Sequence, residues 1–172
     1  MPNDIERTRT YTWVDPIALA HEVMAVPGDE IDTFFTSEDH IPPIAKTLDF
    51  VVTNMHGGEA RAELTPGEIH YNPIGVVHGG IACTLIDTVT GCAIQSLLPA
   101  GMAYTTLSTN TNFLRPMTKD TGQVVATGKV VKPGRKVMLA SAEIRDSNGK
   151  LLATGESTCL VLPIDPRSVS YT

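Results

Sequence analysis

Hydrophobic and polar positions change period three times along this chain. Over residues 15–26 apolar residues recur at helical spacing (Ile17, Ala20, Val23, Met24); Asp15 stands at the N-cap, Pro16 at the first helical position and Pro27-Gly28 at the stop. From Thr47 the period becomes two, with Leu48, Phe50 and Val52 alternating against Asp49, Val51 and Thr53. A second short run, Ala60, Ala62 and Leu64, follows His56-Gly57-Gly58, so a first β-hairpin is predicted. Residues 65–80 are rich in Pro and Gly and read as irregular. Residues 81–98 lack proline and carry Ile81, Leu85, Ile86, Val89, Ala93, Ile94, Leu97 and Leu98, which predicts one long central helix ended by Pro99-Ala100-Gly101. Four β runs follow, at about 103–114, 122–132, 136–146 and 150–162, with turns at Pro133-Gly134 and Ser147-Asn148-Gly149.

A hairpin, a long helix and then an antiparallel meander make an α+β pattern in which a single curved sheet must cover one helix. The helix suits that role, because Gly79, Gly80, Ala82, Gly91 and Ala93 let backbone approach closely. Five or six strands around one helix leave exposed sheet edges, and soluble proteins pair or hide such edges. Dimerisation is expected.

Composition narrows the function classes. The chain has 172 residues with 42% hydrophobic and 19% charged, the composition of one compact domain. No apolar run reaches bilayer-spanning length and the first residues lack a secretion-signal pattern, so a soluble cytoplasmic protein is expected. Cys83, Cys92 and Cys159 form an odd set without CxxC spacing, which indicates small buried apolar groups. A net charge of -6 disfavours nucleic acid. Charge is uneven: residues 1–40 hold nine acids against two bases, and residues 115–136 hold six bases (Arg115, Lys119, Lys129, Lys132, Arg135, Lys136) against Asp120. Such a basic stretch could receive a small polyanion or form a solvated strand face.

The chemistry concentrates in Asn72-Pro73-Ile74-Gly75-Val76-Val77-His78-Gly79-Gly80, which runs into a helix bearing a lone acid, Asp87. Paired glycines at a helix start leave backbone N–H groups free with the helix dipole behind them, an oxyanion site. A carboxylate on an otherwise apolar helix is costly unless paired or facing a cavity. Eight residues at 1.5 Å per residue put Asp87 about 12 Å along the axis from Gly79, so one substrate carbonyl cannot touch both within one chain. Two antiparallel copies of the helix would bring the donor of one chain to the acid of the other.

These residues resemble the hotdog-fold acyl-CoA thioesterases, in particular the phenylacetate-pathway (PaaI-like) branch that includes mammalian acyl-CoA thioesterase 13. The motif is N-x-x-G-x-x-H-G-G with Asp eight residues after Gly79. The resemblance covers roughly residues 44–162 and divides the chain into a lead-in with a short helix (1–43), a hotdog domain (44–163) and a tail (164–172). It implies a curved antiparallel sheet around one long helix, a homodimer or homotetramer, acyl-CoA as substrate, and no cofactor beyond the substrate's own coenzyme A. It further implies Asp87 as catalytic carboxylate, nucleophile or general base, and Gly79 as oxyanion donor. Asn72 would orient water or thioester, His78 would shape the pocket, and Thr106 would stand near the acid. Arg115, Arg135 and Lys136 would face the CoA phosphates. Physical alternatives stand beside these roles: Asn72 as a turn residue before Pro73, His78 as a structural histidine, Thr106 as an ordinary strand threonine.

Rival chemistries lack their patterns. The histidines show no HExxH spacing, and no GxxxxGK[ST] or GxGxxG frame occurs. Cys83 lies one turn into an apolar helix without an evident base. A hotdog dehydratase would carry His-x-x-x-Pro-Gly, whereas His78 precedes Gly79-Gly80. The alternative from another class is a hotdog dimer that binds acyl-CoA without cleaving it.

Overall fold

The computed structural model describes residues 6–35 and 37–164. Helix α1 (Pro16–Ala25) starts where expected, with the Asp15 carboxylate accepting from the N–H groups of Ile17 and Ala18. The acidic segment beyond it is ordered into α2 (Ile31–Phe34), a 3-10 turn (Glu38–His40) and α3 (Pro43–Leu48). Thr47 and Leu48, read above as the start of a strand, therefore close a helix. Pro43 opens α3 at a position proline favours, and Asp49 ends it in the left-handed region (φ 59°, ψ 44°), so the extended run begins at Phe50.

Strands β1 (Phe50–His56) and β2 (Glu59–Leu64) form the expected hairpin, turned by Gly57 and Gly58 at positive φ. Helix α4 (Gly79–Gln95) starts two residues earlier and ends three residues earlier than its periodicity predicts. Its end is fixed by Ser96, whose hydroxyl donates to the Ala93 carbonyl (2.8 Å) and accepts from the Gly58 N–H (2.9 Å). Strands β3 (Met102–Phe113), β4 (Val124–Lys132), β5 (Val137–Asp146) and β6 (Leu151–Pro163) complete one antiparallel sheet in the order β1-β2-β4-β5-β6-β3.

The sheet curves around α4. Leu85, Ile86, Val89 and Ala93 on the helix, each at most 1% exposed, pack against Ala62, Val124, Ala126 and Ile144 of the strands. Each large aliphatic side chain so buried contributes about 1.5–3 kcal/mol. Close approach is clearest at Gly91, where an added Cβ would lie 2.0 Å from the Tyr104 hydroxyl oxygen. The lead-in packs on this domain, with Gly28 N–H donating to the Leu98 carbonyl (2.8 Å) and Gly101 N–H to Met24 (3.0 Å). The edges are β1 and β3, and β3 exposes Thr105, Leu107, Ser108 and Asn110. The expected tail falls, from residue 165 on, outside the described residues. Among the described residues no helix is long and apolar enough to cross a membrane.

Candidate active site

The loop before α4 is pinned from several sides. Buried His70 accepts from the Gly67 N–H through Nδ1 (2.9 Å), and its Nε2 lies 2.9 Å from the Leu48 carbonyl; the His70 carbonyl accepts from the His78 N–H (2.7 Å). Asn72 acts first as a turn residue, its Oδ1 accepting from Ile74 (3.1 Å) and Val76 (3.3 Å) N–H groups, which leaves its amide Nδ2 without a partner among the described residues.

His78 is the N-cap of α4. Its Nδ1 accepts from the Gly80 N–H (2.9 Å) and its carbonyl from the Ile81 N–H (3.0 Å). Two of the first three helical donors are thereby consumed by one residue. Among the described residues nothing accepts from the remaining one, the Gly79 N–H, which opens beside a cleft of about 280 Å³ lined by Gly79, Ala82, Phe113, Arg115 and Leu152.

Asp87 lies about two turns further along α4, exposed. Its Oδ1 accepts from the hydroxyls of Thr106 (3.0 Å) and Thr109 (3.2 Å). No described residue donates to Oδ2. A register break between Thr106 and Ser108 allows both threonines to face the helix, although they are three apart in a strand. Thr109 continues to Ser157 (3.0 Å) on β6, and Ser157 to Thr90 (2.8 Å) on α4. Burial and then the Asp87 charge push the Cys92 thiol up to about 12. Burial first, then Cys92, Asp87 and Cys159, raises the Tyr104 phenol well above its ordinary value. Neither group supplies a thiolate or phenolate at neutral pH.

The basic stretch disperses. Lys119 pairs with Asp120 (3.0 Å) and Lys129 with Glu59 (2.7 Å). Arg115 donates from Nη1 to the Leu151 carbonyl (2.5 Å) at the cleft beside Gly79. Arg135 and Lys136 sit in the β4–β5 turn, at the opposite end of the sheet. Phe113 pairs with Ala153 of β6 whereas Val137 pairs with Leu160, and seven strand residues separate those points by about 23 Å. Within one chain the three cations do not converge.

A second, apolar groove of about 180 Å³ opens between the lead-in and α4, lined by Phe35, Ile41, Ile44, Phe50, Thr88 and Cys92. Phe35 and Pro42 are also walls of a neighbouring groove of about 320 Å³ that reaches Leu19 and Gln95. Sequence reasoning did not find this groove, nor Thr109, Ser157 and Tyr104. The threonine-rich strand was the visible signal for Thr109; which of its residues faces the helix depends on the bulge.

A profile described as the thioesterase superfamily matches residues 74–153. The chain is similar to a protein of Saccharolobus solfataricus named as a candidate esterase, 34% identical over 139 residues that span 81% of this chain and 95% of that one. It is similar also to human acyl-coenzyme A thioesterase 13, at 29% identity over 59% of this chain and 71% of the relative. Among solved structures, a phenylacetic acid degradation-related protein of Ralstonia eutropha superposes with a TM-score of 0.67 at 26% identity, over 78% of this chain and 99% of that one. A Streptococcus pneumoniae thioesterase protein solved with coenzyme A shares the fold, with a TM-score of 0.60 at 23% identity over 66% and 89% of the two chains.

Proposed function

We propose that this chain, which belongs to the thioesterase superfamily and has its hotdog fold, hydrolyses acyl-CoA thioesters to the free acid and coenzyme A at a site shared by two copies. One observation carries the reading: Asp87 is held through Oδ1 by two threonines while no described residue donates to Oδ2. A carboxylate so fixed can act in either of two ways. As a general base, Oδ2 takes a proton from water while the water oxygen bonds to the thioester carbon. As a nucleophile, Oδ2 bonds to that carbon itself, and once coenzyme A has left, water cleaves the acyl–Asp87 anhydride to give the free acid and regenerate the carboxylate. In both cases the carbonyl oxygen becomes an oxyanion, for which the Gly79 N–H is the open donor, and the C–S bond then breaks to release coenzyme A as a thiolate that takes a proton. The thioester is already activated, so the reading asks for no cofactor or metal ion.

In this reading Asp87 and Gly79 of one site come from different copies, which the separation of about 12 Å along α4 supports. Antiparallel pairing of exposed β3 edges about a two-fold axis would bring the Phe113 end of one copy to the Thr105 end of the other. That pairing also sets Arg115 of one copy near Arg135 and Lys136 of the other, a joint contact for CoA phosphates. Asn72, through its spare amide, would orient water or thioester, and His78 would shape the site as the cap that takes the Gly80 N–H beside the free Gly79 N–H. Sedimentation at assay concentration is expected to give a dimer or a dimer of dimers; an active monomer would overturn the shared site. Arg115→Ala is expected to raise KM several-fold with kcat nearly unchanged, measured by steady-state kinetics.

The apolar groove beside Thr88 and Cys92 is the acyl pocket in this reading. Its 180 Å³ compares with a 150 Å³ apolar cavity that accepts benzene, so compact acyl groups of about six to eight carbons fit. Phe35→Ala removes a wall shared with the adjoining groove and is expected to move the preferred substrate to longer chains, read from kcat/KM across a chain-length series. The function itself is tested by thiol release from short, medium, long and aryl acyl-CoAs in aqueous buffer free of added reductant; the proposed setting of the protein is cytoplasmic. Turnover supports the reading; acyl-CoA binding without turnover against the whole panel would replace it with a binding protein.

A further inference from the structure

Three buried or half-buried hydroxyls run from the reacting carboxylate into the core: Thr109 on β3, Ser157 on β6 and Thr90 on α4. Thr90 is fully buried and Ser157 is 2% exposed. We infer that Thr90 and Ser157 are positioning residues that act through Thr109 to hold Asp87 in its reactive orientation, an inference that rests on Asp87 being the reacting group.

The argument is one of proton counting. An ionised carboxylate only accepts, so the 3.2 Å contact to Oδ1 takes the Thr109 proton. The 3.0 Å contact between Thr109 and Ser157 then takes the Ser157 proton, and the 2.8 Å contact between Ser157 and Thr90 takes the Thr90 proton. Thr90 has two competing acceptors, the Ile86 carbonyl at 2.8 Å, in the usual back-bond of a helical threonine, and the Asp87 carbonyl at 3.1 Å. Each of these carbonyls also faces the main-chain N–H one helical turn on, so each loses little if the hydroxyl turns away. Hydrogen bonds to a charged acceptor are about twice as strong as neutral ones, and aligned hydroxyls polarise one another in a low-dielectric interior. The carboxylate therefore orients the chain Thr90 to Ser157 to Thr109 to Asp87. Oδ1 is fixed by two donors, one of which is itself held from two secondary-structure elements, and the carboxylate plane is set with Oδ2 outward.

This assigns a role to two residues far from the loop motif and hidden from substrate. Thr90→Val keeps the shape of the side chain and removes its proton, whereas Thr90→Ser keeps the proton and removes a methyl group. If the chain positions Asp87, Thr90→Val lowers kcat for thioester hydrolysis about tenfold with KM within about twofold, because a small misplacement of a reacting group is costly in rate. Thr90→Ser recovers most of that loss. Ser157→Ala, which breaks the same chain from β6, is expected to match Thr90→Val, with thermal unfolding confirming that both variants fold. A kcat in folded Thr90→Val or Ser157→Ala equal to wild type would overturn the inference, as would a Thr90→Ser that falls as far as Thr90→Val. Wild-type inactivity on every thioester would instead overturn the functional reading beneath it.

Discussion

Asp87→Asn is expected to lower kcat for thioester hydrolysis by about 10²–10⁴-fold, the typical worth of a positioned acid or base, while acyl-CoA binding and thermal stability stay close to wild type. The separation of effects follows from the local geometry. The asparagine Oδ1 can still accept from Thr106 and Thr109, so the side chain keeps its seat on α4. What changes is the open atom. An amide Nδ2 replaces Oδ2, and it can neither accept a proton from water nor attack a carbonyl. The substitution lies on an exposed helical position and breaks neither packing nor the two hydroxyl contacts. Thiol release under saturating substrate reads kcat, and calorimetric titration with a non-hydrolysable acyl-CoA analogue reads binding. A parallel loss of binding and turnover would make Asp87 a structural residue.

Much of this arrangement was legible before any coordinates, and what was not has physical causes. Helix α4 and the four long strands announce themselves through uninterrupted periodicity, and the acid at position 87 stands out because nothing near it in sequence neutralises it. Thr106 was placed through resemblance, and its hydroxyl does reach Asp87 at 3.0 Å. Thr109 was missed because strict alternation puts residues 106 and 109 on opposite faces; only the break between Thr106 and Ser108 turns both inward. Ser157 is 48 residues beyond Thr109 and meets it through strand pairing, a relation that no local pattern encodes. Thr47 and Leu48, the end of α3, read as strand because Leu48 continues the alternation of Phe50 and Val52, and the deciding feature is the left-handed Asp49. Arg115 and the pair Arg135 and Lys136 look like one basic cluster along the chain, yet the meander carries them to opposite ends of the sheet. Under the proposed function their joint use would belong to two copies rather than to one.

Gly79→Pro provides the complementary test from the other side of the site and is expected to reduce kcat by about 10²–10³-fold, the usual cost of losing one oxyanion donor. Proline is ordinarily a destructive substitution in a helix, but here the position suits it. Gly79 is the first residue of α4, where proline is favoured and where its missing N–H breaks no helical hydrogen bond. The preceding residue must be extended, and His78 already is, at φ -61° and ψ 135°. The new Cβ would lie 3.1 Å from the Phe113 ring, a largely exposed side chain able to give way by a few tenths of an ångström. The variant therefore deletes one N–H from a helix that still starts in the same place. Gly79→Ala adds the same Cβ and keeps the donor, so its kcat should remain far above that of Gly79→Pro. Circular dichroism and sedimentation confirm that both variants fold and assemble, and thiol release at saturating substrate compares them. Equal activity of the proline and alanine variants would remove the Gly79 N–H from the mechanism and leave the oxyanion to another donor. A selective loss in the proline variant would place the negative charge of the tetrahedral intermediate at the start of α4. With Asp87 then mapped to the partner copy by mixed dimers of Gly79→Pro and Asp87→Asn chains, activity regained at half the sites would follow from the separation of the two groups along one helix.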